Sequence, residues 1–152
     1  MAHTSPPTLP FPPPSPDHLC LVVHLVVPGQ PPIPVEALVD SGASDCFLDP
    51  SILQQYDLHP TPHVQPIPIE LIDGSTPAAG AITHYITTGV RVHGVHSEIL
   101  TCHVMQLGHF KMVLGFPWLV RHNPYLDWSA GTLTFFSPFC RANYDMTPPA
   151  PA

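Results

Sequence analysis

Proline sets the outer limits of what this chain can fold into. There are 23 prolines in 152 residues, far above the usual share of about 5%, and they are unevenly spread. Pro6, Pro7, Pro10, Pro12, Pro13, Pro14 and Pro16 crowd one end, and Pro148, Pro149 and Pro151 the other. A residue without a backbone N–H cannot donate to a helix or a ladder, and segments of this composition bury little apolar area. Residues 1–17 and 139–152 are therefore expected to be disordered or polyproline-like tails. The span 18–138 is rich in Val, Ile, Leu and Phe. It is long enough for one domain with its own core.

Within that span, short apolar runs alternate with turn signals. Leu19 to Val27 is almost continuously apolar and carries Val22, Val23, Val26 and Val27, so a strand is expected. Pro28-Gly29-Gln30 is a turn and Ile33 to Val39 a second strand, giving a hairpin. Asp40 to Ser44 reads as a tight loop and Cys46-Phe47-Leu48 as a short strand. Pro50, at the start of Ser51 to Tyr56, suits a first helical position. Pro60 to Pro68 is expected to be an irregular, extended connector. Asp73-Gly74 is a hairpin signal, followed by a strand over about 78–92, a turn at His93-Gly94 and a return strand over 97–105. Lys111 to Leu114 forms a short strand, and Phe116 to His122 a short helix stopped by Asn123-Pro124. Leu126 to Trp128 and Thr132 to Phe136 frame a turn at Ser129-Ala130-Gly131. Many short strands with one or two short helices predict an all-β, barrel-like domain.

Charge excludes some functions. The net charge is −7, with only four basic residues. Nucleic-acid binding neutralises phosphates with Lys and Arg, and Arg91, Lys111, Arg121 and Arg141 are too few and scattered. An anionic membrane surface is disfavoured for the same reason. No apolar run reaches the roughly 18 residues of a membrane span, and no basic region precedes an apolar one as in a signal peptide. Cys20, Cys46, Cys102 and Cys140 are widely spaced and are expected to be buried free thiols in a reducing, intracellular and cytoplasmic setting.

Chemistry is concentrated where the second strand ends. Val35 to Val39 delivers Asp40 into a loop of small residues, Ser41, Gly42, Ala43 and Ser44. A carboxylate held there by backbone N–H groups can bind a water and take its proton. Gly42 lets another backbone approach closely, and the Ser41 hydroxyl can lock the loop by hydrogen bonding. On this segment alone, a strand followed by an ordinary Asp-Ser-Gly turn is the favoured reading.

Three blocks in order carry a resemblance that the single motif does not. Ala37 to Leu48, ALVDSGASDCFL, resembles the active-site segment of retropepsins, in particular those of gypsy-type retrotransposons and the retrotransposon-derived Gag-like proteins of vertebrates. Glu70 to Gly80, ELIDGSTPAAG, resembles the flap hairpin of that family. Val113 to Trp128, VLGFPWLVRHNPYLDW, resembles its apolar-apolar-Gly and Asn-Pro…Asp-Trp segments. The likeness spans about Leu19 to Phe136. It implies a small closed-barrel retropepsin (acid protease) fold and aspartic endopeptidase activity without a cofactor. It also implies Asp40 as the catalytic carboxylate, supported by Ser41, Gly42 and Ala43, with a flap at Asp73, Gly74 and Ser75. The mechanism uses two carboxylates. One chain supplies one such motif, so a homodimer acting on a peptide or polyprotein is implied. Many viral members pair an Asp two residues after the catalytic Gly with an Arg after the later Gly. Here Ser44 and Phe116 or Pro117 stand at those places, so that support of the viral dimer is missing.

Other chemistries fare worse. Cys20 and His24, His93 and His96, and Cys102 and His103 give no paired metal knuckle, so no metal is expected. Gly42-Ala43-Ser44-Asp45-Cys46 lacks the closing glycine of a nucleophile elbow. A different class of function is a catalytically idle retrotransposon relic serving in assembly or interaction. Phe11 to Pro16 would suit an SH3 or WW module, or serve as a plain solvated linker.

Overall fold

Buried and exposed side chains alternate along the paired strands, as a sheet with one face on a core requires. In Ile33–Val39 the side chains of Ile33, Val35 and Ala37 are buried, while Pro34 and Glu36 face out. In His96–Val104 the buried set is His96, Glu98, Leu100 and Cys102. The computed structural model describes residues 8–10, 18–69, 80–92, 96–130 and 132–143. Its strands are β1 (Thr8–Pro10), β2 (Cys20–Val26), β3 (Ile33–Val39), β4 (Phe47–Leu48), β5 (Thr61–Ile67), β6 (Ile82–Val92), β7 (His96–Val104), β8 (Met112–Leu114), β9 (Tyr125–Asp127) and β10 (Thr132–Thr134). The helices are α1 (Pro50–Gln55), α2 (Phe116–His122) and α3 (Pro138–Ala142).

Six strands close on themselves. The order β2-β3-β8-β4-β7-β6 returns to β2, because β2 pairs with β6 as well as with β3. β5 extends the sheet beyond β6, and β1, β10 and β9 form a separate three-stranded sheet. Closure removes free edges from the barrel. The interior is filled by Leu21, Val23, Leu25, Leu48, Val90, Met112 and Leu114, all essentially inaccessible, with Trp118, Leu133 and Phe135 packed against the same core. This is the closed-barrel, all-β fold expected from the sequence.

Two pairings decide where the loop after β3 goes. β3 runs parallel to β8, and β8 runs antiparallel to β4. The chain therefore leaves β3, arches over the end of β8 and comes down as β4 on its other side.

Several details differ from expectation. The segment 60–68 is not an irregular connector: Thr61–Ile67 is β5, which pairs with β6 through Thr61, Pro62 and Ile67 and shifts register between Pro62 and Ile67. An outer strand tolerates Pro62 and Pro66 because the missing N–H groups need not serve a second neighbour. A third helix, α3, crosses the boundary expected at residue 138. Its Ser137 cap accepts from the Cys140 amide, Cys140 is fully buried, and the Ser97 amide donates to the Asn143 carbonyl. Within the expected N-terminal tail, Thr8–Pro10 pairs with Thr132–Thr134. Among the described residues, all four cysteines are free and buried. No helix there is long and apolar enough to cross a membrane.

Candidate active site

The arch over β8 is built by backbone hydrogen bonds at both feet. The Asp40 amide donates to the Leu114 carbonyl at 3.0 Å, and the Phe116 amide donates to the Ala43 carbonyl at 2.8 Å. The Ala43 amide closes the turn onto the Asp40 carbonyl at 3.1 Å. Gly115 passes under the arch. A Cβ there would overlap the Asp45 carbonyl and lie 2.8 Å from the Ala43 oxygen, so only glycine fits this crossing. In the sequence Gly115 is visible as the end of an apolar run and as the glycine of the apolar-apolar-Gly segment. Its close approach comes from the β3–β8–β4 order.

Asp40 is half-buried at the mouth of this arch. Its Oδ1 accepts from the Gly42 amide at 2.9 Å, while no hydrogen bond to Oδ2 is formed among the described residues. One oxygen is thus fixed by backbone and the other is open to a water or a second acid. A Cβ on Gly42 would sit 3.2 Å from Oδ1, which explains a glycine there. Ser41 is exposed. Its hydroxyl makes none of the loop-locking hydrogen bonds expected of it among the described residues. The backbone bonds around Ala43 hold the loop instead.

Asp73, Gly74 and Ser75, the expected flap, lie outside the described residues. The two ends of the segment that contains them are described. Ile67 and Ile82 face each other across β5 and β6. Ile82 packs in a small apolar cluster with Phe47 and Val113, against which Ile69, Leu38 and Ala43 also lie. The roots of the 70–79 segment therefore share a cluster with both sides of Asp40.

Beside the arch is a groove lined by Ser41, Phe116, Leu119, Val120, Asn123 and Leu126. Phe116 and Val120 are largely exposed along it. On the other side, Asp49 anchors α1 and the 105–111 segment together. Its Oδ1 accepts from the Ser51 amide at 2.9 Å and its Oδ2 from the Leu107 amide at 2.8 Å. Burial pushes the Asp49 carboxyl up, but these two amides, the Ser51 hydroxyl and the charge of Lys111 outweigh it and hold the group below the ordinary range.

A second polar cluster, remote from this loop in sequence, joins β7, α2 and α3. Glu98 is buried, and its Oε1 accepts from Trp118 Nε1–H at 3.1 Å. Its Oε2 lies 2.6 Å from His122 Nε2 and 3.2 Å from His96 Nε2. Burial raises the Glu98 carboxyl, yet the hydrogen bonds and charges of His122 and His96 prevail and bring it to about 2. Sequence spacing gave no hint of this grouping, because the residues come from separate elements.

A retropepsin-like aspartic protease from Rickettsia conorii superposes with a TM-score of 0.56 at 17% identity, covering 85% of this chain and 91% of that one. The retroviral protease-like domain of Ddi1 from Leishmania major matches with a TM-score of 0.46 at 17% identity, over 78% of this chain and 95% of that one. The family model of the PEG10/RTL1 protease domain matches residues 36–144, from the strand that delivers Asp40 to just beyond α3. By that match, the chain belongs to the PEG10/RTL1 protease domain family.

Proposed function

We propose that this domain is an aspartic endopeptidase that works as a homodimer, with one Asp40 from each chain. The observation that carries this reading is the asymmetric holding of Asp40, with Oδ1 tied to the Gly42 amide and Oδ2 without a partner among the described residues. Two such carboxyls related by a two-fold axis hold a water between them. Two like charges this close do not both ionise readily, so the pair keeps one proton. The ionised member takes a proton from the water as the water oxygen attacks the peptide carbonyl. The other passes its proton to the leaving nitrogen, the C–N bond breaks, and an acid and an amine result. The substrate lies extended and pairs by backbone hydrogen bonds, with the 70–79 segment closing over it.

The groove beside Ser41, with Phe116 and Val120 exposed along it, supports placing a second copy next to the loop, since an apolar surface of this kind is suited to association. The test is cleavage of a peptide library by the pure chain, with and without an active-site aspartic-protease inhibitor. Inhibitor-sensitive cleavage that Asp40→Asn abolishes supports the reading. No cleavage at concentrations where sedimentation shows dimer refutes it and leaves a non-catalytic interaction module. A peptide inhibitor should also slow amide exchange across 70–79; unchanged exchange there on inhibitor binding argues against the flap assignment.

A further inference from the structure

His96, His122 and Cys140 are fully buried, and each offers a metal-ligating atom within 4.8 Å of the others. They come from β7, α2 and α3, so folding alone brings them together. His122 faces an acceptor with each nitrogen: Nδ1 lies 2.6 Å from the Trp118 carbonyl and Nε2 2.6 Å from Glu98 Oε2. His96 Nε2 lies 2.9 Å from His122 Nε2. The other nitrogen of His96, Nδ1, is buried and has no hydrogen-bond partner among the described residues. Buried polar atoms rarely go unpaired, and a missing ion is one standing explanation when one does. Cys140 Sγ makes a long contact, 3.7 Å, to the His122 carbonyl and also interacts with the Ser137 hydroxyl.

We propose that His96, His122 and Cys140 form a structural site for a divalent ion of the zinc type, which ties α2 and α3 to β7. Imidazole nitrogen and cysteine thiolate are the standard protein donors to zinc. Glu98 Oε2 lies against Nε2 of His96, whose Nδ1 is the unpartnered nitrogen, and a carboxylate behind a metal-bound imidazole fixes the ring and raises its basicity. His122, with an acceptor on each nitrogen, gives up one of those contacts to the ion. The Trp118 Nε1–H bond to Oε1 holds that carboxylate in turn. Charge also balances in the metal-bound state: the two positive charges of the ion meet the Cys140 thiolate and the Glu98 carboxylate, which leaves no uncompensated charge in a dry interior. The proposal is independent of Asp40 and of proteolysis.

Cobalt(II) titration of the full, reduced chain tests this directly. The expected result is one ion per chain, visible cobalt bands and a near-ultraviolet thiolate-to-cobalt band, all displaced by zinc. Cys140→Ser should lose the near-ultraviolet band, while Cys20→Ser and Cys102→Ser keep it. Zinc should raise the melting temperature of the wild-type chain by several degrees, and a chelator should reverse the rise, since an ion that binds only the folded state stabilises it. Wild-type chain that takes up no cobalt and melts at the same temperature with zinc or chelator overturns the proposal. So does a thiolate band that persists in a folded Cys140→Ser chain.

Discussion

The backbone of Gly115 lies directly beneath the Asp45 carbonyl, so close that a Cβ at 115 would overlap that oxygen and come within 2.8 Å of the Ala43 oxygen. The contacts on the far side are backbone atoms of a loop pinned at both feet, so they cannot swing aside as a flexible side chain would. Gly115→Ala should destabilise the domain by about 2–4 kcal/mol, at or beyond the usual range for overpacking. Urea unfolding followed by tryptophan fluorescence gives the value. A loss below about 0.5 kcal/mol, the scale of an ordinary surface change, would show that the arch can open.

Asp40 governs the second expectation. Mixing wild-type chain with an equal amount of Asp40→Asn chain should leave only about a quarter of dimers with two native carboxyls after random exchange. Activity per wild-type chain then falls to about half of its unmixed value, while independent chains would lose none. Specific activity should also rise with protein concentration. Activity that stays constant on dilution into a purely monomeric range would rule out the dimer.

Asp49 predicts a pH dependence of stability. Its carboxyl sits below the ordinary value in the folded chain because the Ser51 and Leu107 amides overcome the cost of its burial. A depressed folded-state value means that the stabilisation is fully present above the unfolded value of about 3.9. It is lost as pH falls from there through the lowered folded value. Melting temperatures between pH 6 and pH 2 should therefore fall more steeply for the wild type than for Asp49→Asn. At pH 7 the substitution should cost about 1–2 kcal/mol, in keeping with the loss of a helix cap. Parallel pH profiles for the two proteins would contradict this account.

Cys102 should be inert in the native state. It is inaccessible in β7, and burial pushes its thiol well above the ordinary range, with Cys46 and Glu98 adding to the rise. The thiolate is the reactive form, so alkylation at pH 8 should label Cys102 only at the rate of unfolding. Peptide mapping after timed iodoacetamide treatment reads this out, and rapid native labelling would show that β7 opens locally.

What the sequence determined by itself is local or repetitive. The alternation in Ile33–Val39 gave the strand that delivers Asp40, because side chains on a strand face opposite sides in turn. Pro50 and the Asn123-Pro124 pair marked where α1 begins and α2 stops, since proline constrains its own backbone and its predecessor's. The order of three motif blocks gave the family and the closed barrel. The tertiary structure decided the rest. Threading of β8 between β3 and β4 made Gly115 indispensable and set backbone bonds, rather than the Ser41 hydroxyl, as the support of the loop. The edge position of β5 turned a proline-containing connector into a strand. His96, Glu98, His122 and Cys140 are up to 44 residues apart, counting from 96 to 140, and no spacing rule joins them. They meet because closing the barrel places β7 beneath α2 and α3, and a buried cluster of polar groups is specified by which elements pack together, not by their separation along the chain.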